Sequence, residues 1–149
     1  MKKIFIIFIL VMCLTLTSCN LGHIEDTNGD ESFELSTLSK DEIFTYNTST
    51  TVGVSEVSKN SSFTFKCKKL SGNYLIKTLT PRDRFLKVTI DFNITDGNAF
   101  LALVCDKEVI YEIPYNKSSV YNISGSKNVQ LRILGESCNV SIRMNISEE

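Results

Sequence analysis

The chain has no tryptophan, a single histidine (His23) and two prolines, and each shortage removes something. Without a second histidine, no Ser/His/Asp or Cys/His nucleophile system can be assembled, and histidine-based zinc sites are excluded. Without tryptophan, sugar-binding surfaces lose a favoured ring, leaving Tyr74, Tyr115 and Tyr121 as the aromatics placed to sit at a loop or rim. No glycine-rich loop of the phosphate-cradling kind occurs, and no Cys-x-x-Cys pair suggests a metal or redox couple. The stretch Asp26-Thr27-Asn28-Gly29-Asp30 opens like a calcium loop, but Glu31 replaces its turn glycine and Thr37 its closing glutamate. Carboxylates such as Asp83, Asp91, Asp96, Asp106, Glu108 and Glu112 fall in turns or on polar strand faces, where acids are ordinarily solvated. Catalysis, metal ions and cofactors are therefore not expected.

The N-terminus carries a strong pattern. A basic tip (Lys2, Lys3) precedes an apolar run from Ile4 to Leu16, followed by Leu16-Thr17-Ser18-Cys19. The run fits the apolar centre of a secretory signal and falls short of the roughly 20 residues that a bilayer-spanning helix needs. The segment resembles the signal peptide and lipobox of bacterial lipoproteins, in which an aliphatic residue and two small residues precede a lipidated cysteine. That resemblance implies removal of residues 1–18, lipidation of Cys19 as the mature N-terminus, and attachment at the extracytoplasmic face of the cell membrane. Each buried lipid CH2 contributes about 0.8 kcal/mol, so two or more acyl chains on Cys19 hold a domain that has no transmembrane helix.

The formal charge of −1 hides an asymmetry. From Asn20 to Ser58 eight acids stand against Lys40 alone, whereas from Lys59 onward thirteen bases stand against nine acids. Residues 19–58 therefore read as the lipidated cysteine and an acidic, flexible tether too poor in apolar side chains to offset the entropy of ordering them. Within this stretch, Ser39 and Glu42 have the spacing of a capping box, which predicts a short helix from Lys40 to about Tyr46. Val52-Gly53-Val54 suggests a first edge strand. Of the five cysteines, Cys13 leaves with the signal and Cys19 takes lipid, so Cys67, Cys105 and Cys138 remain. Three is odd, so at most one internal disulfide can form. The preferred reading is buried thiols acting as small apolar residues, with one disulfide as the alternative.

From Ser61 the hydropathy period is two. Phe63, Phe65 and Cys67 alternate with Thr64, Lys66 and Lys68, and Leu86, Val88, Ile90, Phe92 and Ile94 alternate with Lys87, Thr89, Asp91 and Asn93. Val129, Leu131 and Ile133, then Cys138, Val140, Ile142, Met144 and Ile146, repeat the pattern. Turn chemistry at Leu70-Ser71-Gly72-Asn73, Asp96-Gly97-Asn98 and Gly135-Glu136-Ser137 predicts reversals between these runs, and Pro114 marks a strand end. The expectation for residues 59–149 is an all-β, antiparallel β-sandwich of about seven to eight short strands.

The Ser-Gly turn in Lys69-Leu70-Ser71-Gly72-Asn73, the strand from Leu86 to Asp96-Gly97-Asn98, the segment Val129 to Gly135 and the closing strand from Cys138 resemble the domain of small Gram-positive lipoproteins of unassigned activity. The likeness spans about residues 60–147 and implies a β-sandwich at the cell surface, with no catalytic residue.

The remaining functional signal is electrostatic. Lys66, Lys68, Lys87, Arg132 and Arg143 all leave the core face in this reading, so several can share one outer sheet surface. Such a surface attracts anionic partners, namely envelope polymers, lipid headgroups or another envelope protein, with marked salt dependence. Its plainer reading is a solvated face whose lysines discourage edge pairing. The expected function is a membrane-anchored, non-catalytic binding or scaffold module. The first alternative is a carbohydrate-binding module acting through Tyr115 and Tyr121, and a distant one is an envelope hydrolase. Nucleic acid is not an expected partner. Seven Asn-x-Ser/Thr sequons read, behind a lipobox, as a product of a chain rich in Asn and Ser.

Overall fold

The structure, a computed structural model, describes residues 38–45 and 47–148. The signal-like run, Cys19 and His23 lie outside them. One 3-10 turn (Lys40–Phe44) precedes seven strands: β1 (Thr50–Val52), β2 (Ser55–Lys59), β3 (Ser62–Leu79), β4 (Leu86–Cys105), β5 (Glu108–Ile113), β6 (Lys117–Ile123) and β7 (Val129–Glu148). All pairings are antiparallel, in the order β1-β3-β7-β4-β5, with β2 also on β3 and β6 also on β4.

The all-β fold matches the period-two reading, but the three expected reversals at glycine are not reversals. β3, β4 and β7 run straight through Gly72, Gly97 and Gly135, each as one strand of 18 to 20 residues. Register shifts interrupt the ladders between Cys67 and Gly72 and between Ile94 and Asn98. These irregularities lie side by side, because Gly135 pairs with both Gly72 and Ala99. Bulges bend strands, and three aligned bends crease the whole sheet. Gly135 occupies the inside of the crease: a Cβ there would sit 2.2 Å from Leu70 Cδ2 and 2.6 Å from Cys138 Sγ. At Gly72 the backbone is left-handed (φ 92°) and a Cβ would lie 2.1 Å from the Thr48 carbonyl oxygen.

The crease divides one sheet into two layers. The first contains β2, residues 62–67 of β3, 140–147 of β7, 86–94 of β4, and β6. The second contains residues 72–79 of β3, 129–135 of β7, 98–104 of β4, and β5. Apolar side chains from both halves of each long strand meet in one core: Phe65, Val88, Ile90, Phe92, Ile142 and Met144 from the first layer, and Leu79, Leu101, Leu103, Leu131 and Ile133 from the second. This is a sandwich made by folding a sheet over itself. Each fully buried Leu, Ile, Phe or Met in it contributes roughly 1.5–3 kcal/mol relative to exposure.

The sequence places residues 38–58 at the end of the tether, yet residues 38–45 and 47–58 belong to the fold. β2 and β1 pair with β3, and the 3-10 turn forms a strap across the outer side of the second layer. The capping box closes as its spacing predicts, with Ser39 accepting from Asp41 N and Glu42 Oε1 accepting from Ser39 N. The strap buries Ile43 completely against Phe100, Ala102, Val104 and Leu134, with Leu38, Phe44 and Val109 around it. Its carbonyls are held by Asn73, a buried side chain whose Nδ2 donates toward Glu42 O (2.8 Å), Ile43 O (3.0 Å) and Thr45 O (2.9 Å). Glu136 accepts from Leu38 N at 2.9 Å and from Asn98 Nδ2 at 3.2 Å. Lys40 reaches the Glu112 carboxylate at 3.2 Å and lies 4.7 Å above the Phe100 ring. The sequence boundary at residue 58 therefore shifts toward the N-terminus, because the outer side of the second layer is apolar and needs a cover.

Candidate functional site

The five basic residues singled out in the sequence divide between the two layers. In the first layer, buried Phe65, Ile142 and Phe92 form one cross-strand row, so the neighbouring rows face outward. One outward row sets Thr64, Arg143, Asp91 and Ser118 side by side. The next sets Ser55, Lys66, Ser141 and Asn93 together. Lys66 and Arg143 are thus diagonal neighbours on adjacent strands, about 7–8 Å apart at the backbone. Lys87, paired with Asn122 and Ser147, lies on the same face about 13 Å along β4 from Asp91. Lys59, opposite Ser62, adds a fourth base that the sequence reading did not single out. Alternation through the β2–β3 hairpin carries that signal, but the sequence boundary at residue 58 cuts Lys59 off from the rest of β2. Asp91 is the one acid at outward strand positions of this layer among the described residues.

Between β7, β4 and the start of β6 this face dips into a shallow polar depression of about 260 Å³, lined by Asp91, Asn93, Asn116, Lys117, Ser118, Ser141 and Arg143. Asn116 has a left-handed backbone (φ 54°) and ties the approach to β6 onto β4, donating from its N–H to Phe92 O and accepting from Ile94 N. The depression offers hydroxyl, amide and cationic groups on a rigid sheet. That combination can hold a hydrated anionic ligand. Among the described residues no three His, Cys, Asp or Glu side chains converge as a metal site.

Lys68 and Arg132 stand elsewhere. Lys68 is exposed at the crease, its aliphatic stem alongside Gly53. Arg132 pairs with Leu75 and Ala102 on the outer side of the second layer, where its Nη2 donates to Thr45 O (3.1 Å) and Asn47 Oδ1 (3.0 Å) and its Nη1 to Gln130 Oε1 (3.3 Å). Burial pushes the pKa of this guanidinium down. Of the five basic residues, Lys66, Lys87 and Arg143 share the outer face of the first layer, where Lys59 joins them, and Arg132 lies on the opposite side of the sandwich.

Tyr115 and Tyr121 do not form an exposed platform. Tyr121 pairs with buried Val88, rests against the core and donates to Glu112 O at 3.3 Å. Burial is the main cause of its raised pKa. Tyr115 likewise packs on the core. The more open ring is Tyr111, tilted 45° against Tyr121 at 4.9 Å between centroids. Tyr111 borders a cleft of about 520 Å³ with Cys105, Ile110, Ile123 and Val129. The three thiols are free, with Cys67 and Cys138 buried and Cys105 half-buried. Burial pushes the Cys138 thiol up to about 11.

No helix among the described residues is long and apolar enough to cross a membrane. Compared with known proteins, the chain matches no family model, no curated protein and no solved structure.

Proposed function

We propose that this chain is a non-catalytic binding module, anchored through a lipidated Cys19 at the extracytoplasmic face of the cell membrane, whose first-layer outer face takes an anionic polymer of the envelope. The observation that carries the reading is the charge pattern of that face: Lys59, Lys66, Lys87 and Arg143 stand at outward strand positions, where Asp91 is the one acid among the described residues. Single exposed charge contacts contribute about 1 kcal/mol or less, so useful affinity comes from several acting on a repeating anionic chain. Screening over about 8 Å at physiological salt makes that binding strongly salt-dependent.

The test is titration of the protein with a phosphate- or carboxylate-bearing glycopolymer at low and at physiological salt. Wild type should bind at low salt and weaken as salt rises, and Lys66→Gln, Lys87→Gln and Arg143→Gln combined should abolish binding while thermal stability barely changes. Tyr115→Ala and Tyr121→Ala should leave binding intact. Loss of binding in the tyrosine variants instead would favour a sugar-module reading, and no affinity at any salt concentration sinks the anionic one. For the anchor, mass spectrometry of membrane-extracted protein should find acyl chains on Cys19. An unmodified Cys19 there refutes it.

A further inference from the structure

Arg132 presents a second, independent problem in charge. Its three hydrogen-bond partners, Thr45 O, Asn47 Oδ1 and Gln130 Oε1, are all neutral. Its Nε is buried without any partner. A guanidinium has five N–H donors, so these three bonds fix its plane without neutralising it. A partly desolvated cation ordinarily finds a carboxylate, and none among the described residues pairs with it. The acid in its groove, Asp106, is committed to an ion pair with Lys127.

The groove itself has the shape of a site. It has a volume of about 640 Å³ beside the strap, with Phe44 and Val104 among its apolar lining, Gln130 and Asn128 as amides, and Lys107 as a further cation in the same lining. Asn128 is held in place by accepting from Thr80 Oγ1 at 2.8 Å. Lys107 is set by the left-handed two-residue turn that joins β4 to β5 (Asp106 φ 50°, Lys107 φ 65°). Arg132, Lys107 and Lys127 against Asp106 leave the lining with two excess positive charges.

We infer that the Arg132 groove is a binding site for a small oxyanion carried on a polyhydroxylated body, a carboxylated or phosphorylated sugar unit. Arg132 and Lys107 meet the oxyanion, the amides of Gln130 and Asn128 meet hydroxyls, and Phe44 supplies apolar surface for a ring face. Pre-oriented, charge-assisted donors of this kind are the strong ones in recognition. The site lies on the opposite layer from Lys66 and Arg143 and does not depend on that face.

The experiment is an NMR titration of the protein with inorganic phosphate, glucuronate and glucose, following backbone amides of the groove and the Arg132 Nε–H resonance. At least one of the two anions should produce saturable shifts at Arg132, Lys107 and Gln130, and which of them does so identifies the oxyanion. Glucose should give much weaker shifts. Arg132→Gln should weaken anion binding at least about tenfold, the usual effect of losing a hydrogen bond to a charged group. Because that change also removes ties to the strap, Lys107→Gln is the second variant: it touches no strap bond and should weaken binding severalfold while the strap amides keep their positions. The combined Lys66, Lys87 and Arg143 glutamine variant should leave these shifts unchanged. Absence of saturable shifts with either anion, equal response to glucose, or unaltered anion binding in both groove variants overturns the inference.

Discussion

Asn73 offers the sharpest test of how the fold closes. Its Nδ2 lies within hydrogen-bond reach of three strap carbonyls, and with two N–H groups it can satisfy two of them fully. Asn73→Leu keeps the volume and removes both donors. The Ile43 carbonyl then lies buried without a donor, and leaving a buried acceptor unpaired costs about 1–3 kcal/mol. Against this, Asn73 Oδ1 is itself buried without a partner, so leucine also removes one unsatisfied group. The balance is a loss of about 1–3 kcal/mol, bounded above by the full value of docking the strap. That value is dominated by Ile43, whose truncation to alanine should cost about 2–5 kcal/mol at a fully buried site. If strap and sheet dock as a unit, the losses are not additive: once Asn73→Leu loosens the strap, Ile43→Ala removes less. Urea denaturation followed by far-UV circular dichroism on the wild type, both single variants and the double should give a coupling energy above about 0.5 kcal/mol. Hydrogen exchange should show residues 38–45 losing protection in Asn73→Leu while β3, β4 and β7 keep theirs. A loss under about 0.5 kcal/mol in Asn73→Leu, or strict additivity in the double variant, refutes the strap as a cooperative cover.

Other outcomes follow from the same packing. Gly135→Ala places a methyl into Leu70 and Cys138 and should destabilise by about 1–3 kcal/mol in thermal or urea melts, the usual cost of overpacking. A thiol reagent should modify half-buried Cys105 in the native protein, and Cys67 and Cys138 only after unfolding, without prior reduction. Alkali should act through Cys138: a thiol held near 11 instead of 9 contributes stability that is complete below pH 9 and is lost as pH rises through 11. A two-unit shift corresponds to about 3 kcal/mol at most. Tyr74 and Tyr121 shift in the same direction, so Cys138→Ala, compared with wild type across this window, isolates the thiol's share as a flatter curve. A fragment beginning at Ser58 lacks the strap and should melt below the protein that keeps residues 38–57, exposing Phe100 and Leu134.

Which of these features were legible in the sequence follows from how local each one is. Alternation assigned Phe63, Phe65, Ile90, Phe92, Ile142 and Met144 to the core, because period two is set residue by residue. The capping box at Ser39 and Glu42 was equally local and formed as its spacing predicted. The glycine positions were recognised as breaks but given the wrong geometry. A hairpin and a bulged crease both call for small residues, left-handed backbone and close approach, and what separates them is whether three distant strands bend at the same level. The separation of Arg132 from Arg143 has the same origin. It alternates outward like Arg143, but the crease at Gly135 lies between them, so outward means opposite sides of the sandwich. The docking of the strap is not legible, because a single buried isoleucine in a polar stretch carries no periodicity, and its partners in Asn73, Phe100 and Leu134 are 30 or more residues away.

The position of β7 also sets the order of events when the chain folds. It is the last strand in sequence and the middle strand in space, with β3 on one side and β4 on the other. Until residues 129–148 are available, neither long strand has its main partner, and among the described strands the pairings left to form are those of β1 and β2 with β3 and of β5 and β6 with β4. Two-stranded ribbons of that kind are marginal in water. Folding therefore waits for the end of the sheet, proceeds through pairings of high sequence separation, and belongs among slow, topologically demanding reactions. A chain released in stages lacks its central ladders until β7 emerges, and truncation within β7 removes the sheet's centre instead of trimming its edge.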